Sequence, residues 1–186
     1  MPFVFTATSL PGLLLIEPQV FSDDRGWFLE SYKNSDFFAH GIKENFVQDN
    51  HSRSIKNVIR GLHYQRHPNA QGKLVRCTKG KILDVAVDLR KGSPSYGEYY
   101  SQELSEENKL MLYVPVGFAH GFLTLSDEAE IQYKNTAEYH PASDGGIRFD
   151  DKRIGIQWPV PIADVILSEK DNTLPSLDEL GKDFGL

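Results

Sequence analysis

The sequence predicts an all-β fold of the sandwich, jelly-roll or barrel kind, and three observations carry that expectation. Short segments rich in β-branched and aromatic residues recur along the chain. Gly, Pro, Asn, Asp and Ser separate them at intervals of about ten residues, the rhythm of strands joined by turns. Most of the 11 Phe, 8 Tyr and 2 Trp fall inside these segments, where rings ordinarily pack a core.

In chain order, strands are predicted at residues 3–8 and 13–19, which flank the Pro11-Gly12 turn, and at 27–32, after Asp23-Asp-Arg-Gly26. The run 35–40 reads as a helix because Gly41 follows it as a C-terminal stop. Strands follow at 46–51, 58–65 and 73–77, the last directly after the flexible Asn69-Ala-Gln-Gly72. Further strands are expected at 82–89, 99–104, 109–114, 121–125 and 130–136. The tail at 176–180, after Pro175, reads equally as a short helix or as irregular chain.

The length of 186 residues is little more than one domain-sized unit. No repeat, linker or low-complexity stretch divides it, so one domain over residues 1–186 is expected. Lys+Arg 20 against Asp+Glu 26 leaves a net charge of −6, which disfavours a nucleic-acid partner or adhesion to an anionic membrane. The single cysteine, Cys77, can form no internal disulfide and no thiolate cluster, which fits a reducing compartment, by default the cytoplasm. Residues 1–16 carry no charge, yet they lack the basic start of a signal peptide and contain Pro2, Pro11 and Gly12. The uncharged run 111–125 is too short for a membrane span.

Several segments carry side chains that suit a polar pocket. Gln48, Asp49, Asn50 and His51 follow one another in a strand-like run, and buried amides need partners, so this run is either pocket lining or an edge strand entering a loop. Arg60 and His63 share a strand at a spacing of three, which in a regular pleat puts them on opposite faces. Both can serve one pocket only if Gly61 breaks the pleat. Lys73 opens a strand, where a lysine is ordinarily a surface charge, and His120 follows a Pro115-Val-Gly117 turn.

Taken together, His63 is a candidate base, Asp171 a carboxylate that could orient it, Tyr133 a phenol, Lys73 an ammonium, and Arg25 and Arg60 candidate anion binders. That inventory suits removal of a proton beside a carbonyl: a base takes the C–H, a cation stabilises the enolate, and an acid returns a proton. No cofactor is needed for it. A dinucleotide fingerprint, a P-loop and a nucleophile elbow are all missing.

Six runs, in order along nearly the whole chain, resemble one known family: Asp23-Asp-Arg-Gly-Trp-Phe-Leu-Glu30, Phe46-Val-Gln-Asp-Asn-His-Ser52, Arg60-Gly-Leu-His63, Gln71-Gly-Lys-Leu-Val-Arg76, Pro115-Val-Gly-Phe-Ala-His-Gly121 and Ile154-Gly-Ile-Gln-Trp-Pro159. The chain is similar to the dTDP-4-dehydrorhamnose 3,5-epimerases, cofactor-free homodimers with the cupin-type jelly roll, or double-stranded β-helix, that act in dTDP-L-rhamnose synthesis. The resemblance implies His63 as proton acceptor with Asp171 holding its ring, Tyr133 as proton donor and Lys73 beside the sugar's keto oxygen. It implies Tyr139 as the aromatic that stacks on thymine, and Arg25, Glu30, Gln48, Asp49, Asn50, Arg60, His120 and Lys170 as nucleotide-sugar contacts. Asp144 stands where the family would have a glutamate, one methylene longer.

Other readings share parts of this pattern. Pro115-x-Gly-x-x-His120 matches the second motif of metal-dependent cupins, but the residue two after His63 is Gln65, which breaks the His-x-His of the first motif, so no metal site is expected. A mono-epimerase or ketoisomerase acting on a related dTDP-sugar would share most of the pocket. A non-catalytic nucleotide-sugar-binding jelly roll would need neither the His63–Asp171 dyad nor a positioned phenol.

Overall fold

A computed structural model describes residues 2–180, and among them thirteen strands form three sheets. Strands β1 (Phe3–Ala7) and β2 (Leu14–Pro18) pair across the tight turn at Gly12, whose φ of +89° suits glycine. A small separate hairpin follows, β3 (Val20–Asp23) and β4 (Gly26–Leu29), turning at Asp24 and Arg25. Helix α1 (Asn34–Ala39) then ends before Gly41, which takes a φ of +97°, as the sequence predicts.

The remaining strands are β5 (Gln48–Ile55), β6 (Ile59–Gln65), β7 (Lys73–Lys79), β8 (Lys81–Asp88), β9 (Tyr99–Ser105), β10 (Met111–Val114), β11 (Phe118–Thr124), β12 (Glu128–Asn135) and β13 (Asp144–Gly146). A one-turn helix, α2 (Glu169–Asn172), lies near the end of the described chain. One sheet has the order β1-β2-β10-β7-β12-β5 and the other β13-β6-β11-β8-β9. They face each other as a jelly roll. Residues 177–180 form a turn and residue 176 belongs to no regular element, the irregular alternative that the sequence offers for this tail.

Alternation along each strand explains the layers. Val75, Cys77, Leu112 and Ile131 from the six-stranded sheet meet Ile82, Ala86, Leu104, Phe118 and Phe122 from the five-stranded sheet, which makes an apolar core at one end of the sandwich. The opposite residues of the six-stranded sheet, Phe3, Leu74, Met111 and Tyr113, are covered by Phe37 and Ile42. The outer face of the five-stranded sheet, with Leu62, Tyr64, Val85 and Val87, is covered by Ile147, Ile154, Ile156 and Leu177 of the C-terminal segment. No helix among the described residues is long and apolar enough to cross a membrane.

The strand pair β6–β11 departs from regular pairing where it matters most. His63 pairs with His120 and Arg60 with Phe122, so two residues lie between the paired positions on β6 and one on β11. This bulge re-phases β6 and brings Arg60 and His63 to the same cavity, as the spacing of three required. Glycine alone permits it. A Cβ on Gly61, at φ +124°, would lie 2.6 Å from the Gly121 Cα, and one on Gly121 would lie 2.5 Å from the Arg60 carbonyl oxygen.

Gly61→Ala is therefore expected to lose about 3 kcal/mol of stability from the positive φ and the overpacking together. A urea titration checks this; a midpoint within error of the wild type would contradict it.

Candidate active site

The open end of the sandwich, away from the apolar core, contains two adjoining hollows of about 380 and 310 Å³ that share His63, Lys73, Tyr133 and Lys170. Each volume lies in the range of small-ligand sites. His63 reaches this space from β6, with its Nε2 2.6 Å from Asp171 Oδ1. Asp171 is buried in α2, which is capped by the Ser168 hydroxyl accepting the Asp171 N–H at 3.1 Å. Its second oxygen accepts the Gly61 N–H at 3.4 Å. Burial acts to raise the Asp171 carboxyl, but its bond to His63 and the imidazole charge outweigh that, so it sits below the ordinary carboxylate range. An ionised carboxylate only accepts, so it fixes the proton of His63 on Nε2 and leaves Nδ1 as the basic nitrogen.

Tyr133 comes from β12 on the opposite sheet. It faces the cavity because it alternates with the outward Gln132 and Lys134, in phase with buried Ala129 and Ile131. Burial raises its phenol above the ordinary value, only partly offset by the Arg60 charge and a hydrogen bond with Asn50. It is fully protonated at neutral pH. Lys73, buried at the start of β7, donates to the His63 carbonyl at 3.3 Å. Burial pushes its ammonium down from 10.5 to about 8, against the opposing pull of Asp84 and Asp144. Cys77 is no competing nucleophile, because burial pushes its thiol up to about 11.

The mouth is built from side chains that hold one another. Gln48 donates to Asn50 Oδ1 at 2.9 Å and accepts the Tyr139 N–H at 2.8 Å, which leaves the Tyr139 ring half exposed at the rim. The Tyr139 hydroxyl donates to Asp144 at 3.3 Å, and Lys170 pairs with the same Asp144 oxygen. Arg60 is held by Ser54 Oγ at 2.8 Å and the Arg53 carbonyl at 3.1 Å. His120, buried on β11 beside His63, bonds Asp84 Oδ1 at 2.8 Å. No group of three or more His, Cys, Asp or Glu among the described residues could hold a metal ion.

A base, a phenol, an ammonium and an arginine thus converge on one cavity with a half-exposed ring at its rim. Residues 7–179 match the family model described as dTDP-4-dehydrorhamnose 3,5-epimerase. The chain belongs to that family. It is 56% identical over 175 residues to the dTDP-4-dehydrorhamnose 3,5-epimerase of Escherichia coli K12, covering 93% of this chain and 94% of that protein. It is 51% identical to the enzyme of that name from Methanothermobacter thermautotrophicus, covering 95% and 96%. Among solved structures, the dTDP-6-deoxy-D-glucose-3,5-epimerase of Legionella pneumophila in complex with dTDP-4-keto-L-rhamnose superposes with a TM-score of 0.94 at 43% identity, covering 98% of this chain and 96% of that one.

Not every contact implied by the family resemblance lies in the cavity of this chain. Arg25 sits at the tip of the β3–β4 hairpin, paired with Asp23 and almost fully exposed. Glu30 follows that hairpin, with one buried carboxylate oxygen that has no partner among the described residues. Asp49 points to the outer face of the six-stranded sheet, 2.9 Å from Lys134, in phase with His51 and out of phase with Gln48 and Asn50. The strand period of two made that split legible.

Two residues escaped the sequence reading. Gln65, which breaks the metal motif in the sequence, donates to the Asn69 and Glu138 carbonyls at 2.6 and 3.1 Å and accepts the His140 N–H at 2.7 Å, which anchors the loop bearing Tyr139. Asp84 is the other, and its signal was a lone carboxylate in the apolar run Ile82-Leu-Asp-Val-Ala-Val87.

Lys73→Met is expected to stabilise the protein at pH 7 by on the order of 3 kcal/mol, since a buried ammonium is removed. The native lysine releases its proton near 8 and the unfolded one near 10.5, so the unfolded wild type binds more protons between those values. Wild-type stability then rises with pH across that window, and the difference closes above it. Urea midpoints between pH 7 and 11 check this; a variant less stable than wild type at pH 7 would contradict it.

Proposed function

We propose that the chain converts dTDP-4-dehydro-6-deoxy-D-glucose into dTDP-4-dehydro-L-rhamnose, with His63 as proton acceptor, Tyr133 as proton donor and Lys73 beside the keto oxygen. One observation carries the reading: His63 stands on the five-stranded sheet and Tyr133 on the six-stranded sheet, and both line the same cavity. Inversion needs a proton to leave one face of an enolate and another to arrive on the opposite face. A sugar ring between the two sheets meets those conditions.

In this reading Nδ1 of His63 removes the proton from C3 or C5, each of which flanks the C4 ketone. Asp171 stabilises the imidazolium that forms. The Lys73 ammonium, itself buried, stabilises the charge that develops on the C4 oxygen. Tyr133 then delivers a proton to the other face. Arg60 and Lys170 suit the diphosphate, the first through its planar fork of donors, the second as a point charge. The Tyr139 ring offers a stacking surface for thymine, worth about 1–3 kcal/mol. Asp144, engaged with Tyr139 and Lys170, orients the rim.

A homodimer belongs to the same reading. Arg25 and Glu30 lie outside the cavity of their own chain, and the β3–β4 hairpin that carries Arg25 exposes Phe21, Trp27 and Phe28. An exposed aromatic cluster of this kind supports a packed partner, and a second copy would gain the two charges for its site. Neither a resident cofactor nor a nucleic-acid partner enters the mechanism.

Incubation with dTDP-4-dehydro-6-deoxy-D-glucose in deuterated water tests the reading. Wild-type protein is expected to label both C3 and C5, and His63→Ala to lose turnover by about 10²–10⁴-fold without unfolding. Tyr133→Phe is expected to exchange C–H for deuterium yet yield little doubly inverted product. Wild-type-like turnover by His63→Ala would overturn the assignment, and label at one carbon alone would mark a mono-epimerase.

A further inference from the structure

Asp84 presents a contradiction in terms of burial. It is fully buried on β8, facing into the sandwich, and only one of its two oxygens has a partner: Oδ1 meets His120 Nε2 at 2.8 Å, and Oδ2 has none among the described residues. An unpaired buried carboxylate oxygen is costly, and a protein selected only for stability would fill the position with an apolar residue. The apolar neighbours Ile82 and Ala86 on the same face show how readily the core would accept one. The arrangement around it repeats that of His63. His63 and His120 are cross-strand partners on β6 and β11, and each has its own buried carboxylate, Asp171 beyond one edge of the pair and Asp84 on the strand beyond the other.

We propose that Asp84 is a positioning residue of this site, fixing the tautomer of His120 and serving as the buried counter-charge that keeps Lys73 an ammonium. The inference rests on the epimerase reading for its catalytic meaning. A carboxylate cannot donate, so His120 must carry a proton on Nε2, which leaves Nδ1 as the ring nitrogen without a carboxylate partner. Asp84 and Lys73 are both buried and stand on facing sheets, so the carboxylate favours the ammonium against its burial. Removing that charge makes the ammonium lose its proton at lower pH.

Other ionisable groups bear on the same space: His63 and Arg60 from β6, Lys73 and Cys77 from β7, Tyr133 from β12, Asp144 from β13, and Lys170 and Asp171 from α2. From β9, the residue paired with Asp84 is the neutral Gln102, which is bonded by the Tyr100 hydroxyl at 3.0 Å. Asp84 is thus the carboxylate nearest in role to both His120 and Lys73, while Asp144 is engaged with Tyr139 and Lys170.

Asp84→Asn tests this because it keeps shape and one hydrogen bond while it removes the charge and adds a donor. Nitrogen-15 spectra of the imidazoles are expected to find His120 protonated on Nε2 in the wild type and moved toward the Nδ1 tautomer in the variant. Titration of labelled lysines is expected to show Lys73 losing its proton at lower pH in the variant. With substrate, kcat is expected to fall about 10²-fold with KM little changed, and the alkaline limb of the pH–rate profile to move to lower pH. Unmoved lysine and imidazole signals in a folded variant would overturn the proposal, even if stability dropped. Should the variant not fold, the wild type still decides: His120 protonated on Nδ1 at neutral pH would overturn it. The imidazole spectra and the lysine titration use no substrate, so a wild type inactive on the nucleotide sugar would defeat the functional reading and leave these readouts to judge Asp84 separately.

Discussion

Two backbones pass so closely at Gly61 and Gly121 that neither position has room for a methyl group. That contact permits the one-residue bulge between β6 and β11, and the bulge sets the phase of everything downstream on β6. With regular pairing, Arg60 and His63 would point to opposite faces, and the site would lose either its imidazole or its guanidinium. The same contact presents the Gly61 amide to Asp171, so the carboxylate that orients His63 is itself held by the bulged strand. Fold and site therefore meet at a constraint that no side chain supplies.

From that constraint follows a division of labour between the ends of the sandwich. The closed end is apolar and provides the hydrophobic stabilisation of the two sheets. The open end buries Lys73, Asp84, His120 and Asp171, groups whose desolvation opposes folding. The Lys73 ammonium, held down to about 8 by burial, is the clearest sign of the cost. Such an arrangement suits a site where charge develops on a bound ketone, because buried fixed charges act more strongly than they would in water.

The all-β class, α1 and most strands were legible because period-two patterning and Gly or Pro turns are local signals. Less legible were β13, only three residues long and two of them glycine, and α2, a single turn whose one clear mark is the Ser168 cap. Both exist because they pack on β6, a long-range reason. For the site, the sequence singled out His63, Tyr133, Lys73 and Asp171 as an inventory, and the family resemblance supplied their roles. Asp49 shows the opposite case: it neighbours Gln48 and Asn50 in sequence, but the pleat sends it to the outer face and to Lys134. Asp84 stayed hidden because its meaning lies in a pairing with His120 36 residues away.

In the proposed mechanism the bulged β6 and the facing β12 grip opposite faces of one sugar ring. A crystal structure of Tyr133→Phe soaked with dTDP-4-dehydro-6-deoxy-D-glucose tests it most directly. The account predicts the ring lying between the two sheets, with C3 or C5 about 3–3.5 Å from His63 Nδ1 and the residue 133 ring on the other face. A sugar with both side chains on one face, or one bound on the outer face of the six-stranded sheet near Asp49 and Lys134, would contradict it.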